Sequence, residues 1–567
     1  MGFHRGDVPQ SGVVPTPIAP VARLRADLDL LAERVSAVGF RLPAPEQSLR
    51  VRHREDLAIS LRSYLIARLG DRSAPLTVVV VGPTGSGKST VVNSLAEKAV
   101  TESGVIRPTT RRPVVWIHTD EVDSNPVGGF VEPVVVADDK DLLQKLTIVD
   151  SPDVDSYEID HRRIAERLVE IADIAIFVTT PQRYADATPW ELLERVDERG
   201  IPLLHAMNRS GRRTEGTVSD LRSLLRRRGL EPEPILTIQE QRVRDDGTRL
   251  PPQAVAGLRK ALVELGDDHK RVLESVTAGS VQDVAERTRQ LAEQVEAQEA
   301  HLERLRTVAS EAYLVAGEEI RQDLATGGLI REEVLERWRR RVGVGDIARL
   351  VNGSASWFRS ILDRFSGASA ALVNQIEREA RAELASAIET RVDRASAAVS
   401  TAWAVDEAGR TLLDDSLRSA DPETSMEIRQ RVDDWLGSIT TMIDAEGPGK
   451  FRRARVASAG VNAAAVVGLV TVFATTGGLT GAEVGVAAGA AAAQQSILEN
   501  VLGRAAATSL VSRARSGLED EVAAVLGADS ARFHSILDDL AEPGATTAGL
   551  HEAATKVERS SEEFHAN

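Results

Sequence analysis

The chain has no cysteine among its 567 residues. That excludes disulfides, thiolate metal centres and cysteine nucleophiles, and it suits a reducing compartment. Positive charge is also in deficit: the formal net charge is −16, which argues against a general nucleic-acid binder. The first residues, Met1-Gly2-Phe3-His4-Arg5-Gly6-Asp7, contain no apolar core, so no secretory signal is expected. No fixed-period repeat is present, which sets solenoids aside. The histidines are scattered. His118 and His205 fall on expected strands, where satisfied core or edge positions are the expectation, and no histidine metal set or Ser-His-Asp arrangement emerges. Charge itself is missing from one long stretch, Val456–Ala482.

What is present describes a folded chain of several domains. Hydrophobic residues make up 42% and charged residues 27%, and the length corresponds to roughly three to four domains. Residues 1–20 hold Pro9, Pro15, Pro17 and Pro20 and read as a loose arm. Leu24, Leu28, Leu31 and Val35 recur at helical spacing, and a second helix should end at Leu69–Gly70, so residues 21–75 read as a helical hairpin. Between residues 76 and 266 strand and helix patterns alternate. Strands are expected at 76–81, 113–118, 133–137, 146–149, 173–178, 201–206 and 234–238, which implies a mainly parallel sheet with helices on both faces. Beyond residue 267 the strand signals stop and helical patterns run at 268–325, 331–342, 368–410 and 424–445. The heptad within Val281–Leu305 is imperfect, so a bundle is expected there rather than a coiled coil.

The charge-free stretch is long enough for a bilayer span, which takes about 20 residues. A second, Ala- and Gly-rich stretch follows Glu483 and runs to Leu498. Lys450, Arg452, Arg453 and Arg455 precede the pair, and Arg504, Arg513 and Arg515 follow it, as suits a hairpin entering from the cytoplasmic side. The competing reading is an Ala-rich helical pair packed inside a soluble bundle. Trp357, Phe358, Ile361, Leu362 and Phe365 form another apolar face at helical spacing, read as bundle core before interfacial membrane helix.

The chemistry concentrates in the segment from Leu76 to Thr90. A buried-strand pattern runs directly into Gly82-Pro83-Thr84-Gly85-Ser86-Gly87-Lys88-Ser89, the phosphate-loop spacing G-x-x-x-x-G-K-S. Glycines let successive backbone N–H groups turn toward phosphate oxygens, Lys88 can reach the β- and γ-phosphates, and the Ser89 hydroxyl can ligate Mg²⁺. Residues Gly82 to Thr90 are therefore the candidate phosphate contacts. Downstream, the loop Glu102–Val114 carries Thr109 and Thr110; a threonine there can ligate Mg²⁺ by its side chain and hold the γ-phosphate by its backbone. Thr110 is the first candidate and Thr109 the rival. The strand Leu146–Asp150 ends in an acid placed to hold Mg²⁺.

These motifs resemble a known family. Ser103-Gly104-Val105-Ile106 followed by Thr110-Arg111-Arg112-Pro113 resembles the first switch signature of the dynamins, and Asp150-Ser151-Pro152-Asp153 resembles the third GTPase motif. The chain is similar to bacterial dynamin-like proteins, P-loop GTPases of the translation-factor-related class. The resemblance implies GTP and Mg²⁺ as ligands, with Lys88 and Thr110 in catalysis, and Ser89, Thr110 and Asp150 on the metal. Asn208 and Arg209 fit the start of the base-reading motif. It further implies an α/β GTPase domain at 76–266, a helical stalk at 267–455, a membrane-interacting hairpin at 456–503 and a C-terminal neck helix and tail at 504–567. Residues near 504–525 would pack with the 21–70 hairpin. The implied partners are membrane lipid, further copies of the chain through GTPase domain and stalk, and a sister dynamin-like protein; the implied place is the inner face of the plasma membrane. Three positions depart from the family pattern: Thr84 stands where dynamins usually carry glutamine, Asp153 where they carry glycine, and Gly211 where an aspartate reads guanine. The alternatives are a soluble nucleotide-switched scaffold and an ATP-using enzyme.

Overall fold

The computed structural model describes residues 20–102, 112–128, 131–153, 159–186, 188–211, 214–230, 234–241, 248–326, 329, 369–419, 421–446, 504–541 and 546–566. Thr109 and Thr110, the helical pattern at 331–342, the aromatic face at 357–365 and the apolar stretches at 456–498 lie outside them. The chain divides into two compact units. The first comprises Met1–Phe40, Glu46–Ala297 and Pro543–Asn567; the second comprises Arg41–Pro45 and Gln298–Glu542.

The first unit is built on a seven-stranded sheet. Its strands are β1 (Leu76–Val81), β2 (Val114–His118), β3 (Val134–Asp138), β4 (Leu146–Asp150), β5 (Ile174–Thr179), β6 (Leu203–Ser210) and β7 (Ile235–Gln239). Their order is β3-β2-β4-β1-β5-β6-β7. Every neighbouring pair is parallel except β2 with β4. All seven strands were legible because most are Val- and Ile-rich runs bounded by turn residues. β1 and β5 are buried along their whole length, as strands covered on both faces must be. Between β4 and β5, β1 is the switch point of the sheet, where open α/β folds leave a crevice at the strands' carboxyl ends.

Helices of this unit are α1 (Pro20–Ala37), α2 (Gln47–Ile59), α3 (Lys88–Ala96), α4 (Ile159–Val169), α5 (Thr188–Glu198), α6 (Thr214–Arg227), α7 (Ala256–Asp267) and the start of α8 (His269–Thr326). α2 continues through a π-helical segment (Ser60–Ile66) and a last α turn (Ala67–Gly70). Ser60, Tyr64 and Arg68 thereby meet the end of α4: Ser60 donates to Glu170, and Tyr64 donates to Asp173 at 2.8 Å. Arg68 pairs with the same Asp173, whose Oδ2 also accepts from Thr77 N at 2.7 Å.

The second unit is all helix among the described residues: the rest of α8, α9 (Ser369–Val405), α10 (Glu407–Leu412), α11 (Pro422–Glu446) and α12 (Arg504–Leu540), with a short 3₁₀ turn at Asp415–Arg418. Its apolar seam holds Leu305, Tyr313, Leu384, Trp403, Trp435, Leu518 and Phe533. Asp529, buried within it, accepts from Tyr313, from Ser396 at 2.7 Å and from Thr424 at 3.2 Å, tying four helices at one carboxylate. Here the expected packing of residues 504–525 changes. They lie in α12, where Leu510, Ala514, Leu518 and Val522 form a buried i, i+4 stripe and Ala514 O accepts from the Trp435 indole at 2.7 Å. The helix that lies along α1 is instead α13 (Thr547–His565). Leu550, Ala553 and Val557 join the core that holds Leu24, Leu28 and Leu31, and Arg23 pairs with Glu563 at 2.9 Å. No helix among the described residues is long and apolar enough to cross a membrane.

Candidate nucleotide-binding site

The phosphate loop leaves β1 at Val81 and enters α3 at Lys88. Gly82, Gly85 and Gly87 all carry positive φ, and at two of them a side chain would also collide. Gly82 has φ +152° and a Cβ there would meet Val178 O at 2.1 Å; Gly87 has φ +94° and a Cβ would meet the Asn208 amide at 2.4 Å. Ser86 N donates to Pro83 O at 3.1 Å and Val91 N to Gly87 O at 2.9 Å, closing the turn and opening the helix. Pro83, Thr84, Gly85 and Thr90 lie in this loop and first turn. Thr84 O accepts from Arg183, which also pairs with Asp186 at 2.7 Å.

Lys88 is 4% exposed, donates to Gly82 O at 3.0 Å and pairs with Asp153. Asp150 is completely buried at the end of β4, in register with Val80 of β1. Thr101 Oγ1 donates to its Oδ2 at 2.8 Å, while its Oδ1 is buried with no hydrogen-bond partner. Burial pushes the Asp150 carboxyl above its ordinary range, and the Ser89 hydroxyl, the Lys88 charge and Thr101 oppose this without overcoming it. A bare carboxylate oxygen sealed from water is costly, about 1–3 kcal/mol or more. A hard cation relieves that cost, and Asp150 with the Ser89 hydroxyl forms an oxygen donor set that fits Mg²⁺, whose other ligands are usually phosphate and water.

Asn208 and Arg209 occupy the end of β6. The Asn208 amide donates to Ser86 O at 2.8 Å and its carbonyl accepts from Arg209 N at 2.9 Å, so Asn208 braces the phosphate loop. Arg209 is exposed, with φ +53°. Gly211 N donates to Thr214 Oγ1 at 2.7 Å, turning the chain into α6.

The structure thus brings together the phosphate loop, Lys88, Ser89, Asp150 and Asn208. Sequence reasoning missed the brace behind them. Asn93 of α3 accepts from Val100 N at 2.8 Å and Thr101 N at 2.9 Å, and donates to Thr101 O at 2.9 Å. This clamp delivers Thr101 to Asp150. An asparagine in a helix interior, where it is a weak helix former, was the available signal.

Residues 78–127 match the sequence model of the Dynamin family. A curated relative, the probable transmembrane GTPase FZO-like, chloroplastic, of Arabidopsis thaliana, is 27% identical over 144 residues, covering 24% of this chain and 15% of its own length. Among solved structures, one of an oligomerised bacterial dynamin pair, offered as a mechanism for long-range sensing and tethering of membranes, aligns over 97% of this chain and 96% of its own at 11% identity and a TM-score of 0.40. The LeoA bacterial dynamin GTPase from ETEC aligns over 96% and 97% at 11% identity and a TM-score of 0.24. Over residues 78–127, which include most of β1 and the whole phosphate loop, this chain is similar to the Dynamin family.

Proposed function

We propose that the chain is a dynamin-like GTPase that binds GTP with Mg²⁺, hydrolyses it, and couples that cycle to membrane binding or remodelling. The observation that carries this reading is the bare, buried Asp150 Oδ1 beside Ser89 and Lys88 of a glycine-dependent phosphate loop, a loop that itself lies within the segment matching the Dynamin family. Backbone N–H groups of residues 84–90 and the positive end of α3 would hold the phosphates. Lys88 neutralises charge between the β- and γ-phosphates. Ser89 and Asp150 would hold the Mg²⁺, with Thr110, or its rival Thr109, completing the set from the first switch loop. Bound there, the metal supplies charge neutralisation across the β- and γ-phosphates. Asn208 keeps the loop in its curled form, and Arg209 would lie beside the base. Ordering of the Thr110 loop in the triphosphate state would favour contacts between copies of the chain, and hydrolysis would release them. Residues 456–498 would hold the lipid at the inner face of the plasma membrane, and a sister dynamin-like protein is a candidate partner.

A second reading keeps the same site with ATP, because Gly211 has no side chain to accept from guanine. Liposome flotation of the full chain, with GTP and ATP in parallel, separates these readings. The proposal expects GTP-dependent flotation that disappears when 456–498 is deleted, with basal turnover retained. Flotation unaffected by the deletion would refute the membrane role, and equal support by ATP would refute guanine preference.

A further inference from the structure

The Lys88–Asp153 pair is the feature that the nucleotide reading leaves unexplained. Lys88 is the one ammonium of the phosphate loop, and its side chain is almost fully buried. Asp153 is also largely shielded, with 15% of its side chain exposed. The tether that brings it there is short and fixed. Ser151 donates through both N (3.2 Å) and Oγ (2.7 Å) to Val80 O, locking the chain beyond β4 onto the end of β1. Pro152, its φ fixed by the ring, follows directly, and Asp153 is the next residue. A carboxylate is thus held on the cation that a γ-phosphate needs, close to where its oxygens would lie.

We propose that Asp153 sets the preference between triphosphate and diphosphate at this site, by competing with the γ-phosphate for Lys88. This rests on the nucleotide reading above. A γ-phosphate sets its negative charge against Asp153 and must take Lys88 from it; a diphosphate brings only the β-phosphate to Lys88 and sets no γ-phosphate charge against Asp153. Like charges set against each other in a shielded site penalise the ligand that carries the extra charge. Asp153 therefore weakens triphosphate binding selectively and makes the site less easily saturated by it.

The test is calorimetric titration of the full chain with Mg²⁺, using a non-hydrolysable GTP analogue and GDP in parallel, on the unaltered protein, Asp153→Asn, Asp153→Gly and Lys88→Ala. Asn keeps the shape and removes the charge; Gly removes both. The expected result is triphosphate affinity about tenfold or more tighter in both Asp153 variants, with diphosphate affinity changed by less than about threefold. Equal shifts for the two nucleotides, or weaker triphosphate binding, would overturn the role of Asp153 while leaving the site intact. If the unaltered chain binds neither nucleotide, or if Lys88→Ala binds as well as the parent, the nucleotide reading itself fails.

Discussion

Two clusters of buried carboxylates lie in the sheet-bearing unit, and they are finished in opposite ways. At the end of α4, Glu170 and Asp173 are surrounded by donors. Glu170 accepts from Ser60 and from Arg195 and Arg287, at 2.9 Å and 3.0 Å; Asp173 accepts from Tyr64, Arg68 and Thr77 N. At the carboxyl end of β4, Asp150 keeps one oxygen without a partner. Burial acts on both clusters in the same direction, but the result differs. Burial pushes Glu170 up, and Arg287, Arg195, Arg199 and the Ser60 hydroxyl outweigh it, holding it at about 2. At Asp150 burial wins. A satisfied buried acid fixes structure, joining the π-helical part of the hairpin to the sheet. An unsatisfied one marks a place where a ligand would relieve the cost, as proposed for Mg²⁺ at Asp150.

That contrast can be broken most forcefully at Asp173. Asp173→Ala strands a buried guanidinium, a tyrosine hydroxyl and a backbone N–H, so a loss of about 3–5 kcal/mol is expected in urea unfolding. A loss below about 1 kcal/mol would mean that the cluster is not what joins hairpin to sheet. Next comes acid. The Glu170 pKa is depressed from 4.5 to about 2, so its contribution is complete above the unfolded value and is lost as pH falls through 4.5 toward 2. The shift corresponds to about 3 kcal/mol. Urea midpoints measured at stepped pH should drop over that window, and Glu170→Gln should flatten the drop. The smallest expected change in stability is the most telling. Asp150→Asn removes a buried charge whose folded pKa is raised, so metal-free stability should stay level or rise by up to about 1 kcal/mol, while Mg²⁺-dependent turnover falls about 100-fold. A large loss of stability would place Asp150 with the structural acids.

Much of this was legible in sequence because the signals are local. The phosphate loop, the strand ending in Asp150 and all seven strands are each carried by residues within one short segment. Asn208 was found as the start of a motif, but its hydrogen bond to Ser86 joins residues far apart in the chain. The structural cluster was not legible at all. Ser60, Tyr64 and Arg68 meet Glu170 and Asp173 across more than a hundred residues, through a π-helical stretch that no periodicity announces. The placement of α12 and α13 failed to show for a related reason: both carry apolar stripes, and only the complementary faces decide which one meets α1.

The central claim is that Lys88, Ser89 and Asp150 form a Mg²⁺-dependent triphosphate site with a preference for guanine. Its most direct test is equilibrium binding of fluorescent GTP and ATP analogues to the full chain, with and without Mg²⁺, against Lys88→Ala. The account expects Mg²⁺-dependent binding, tighter for GTP, that is abolished by the substitution; binding unchanged by loss of either Mg²⁺ or Lys88 would contradict it.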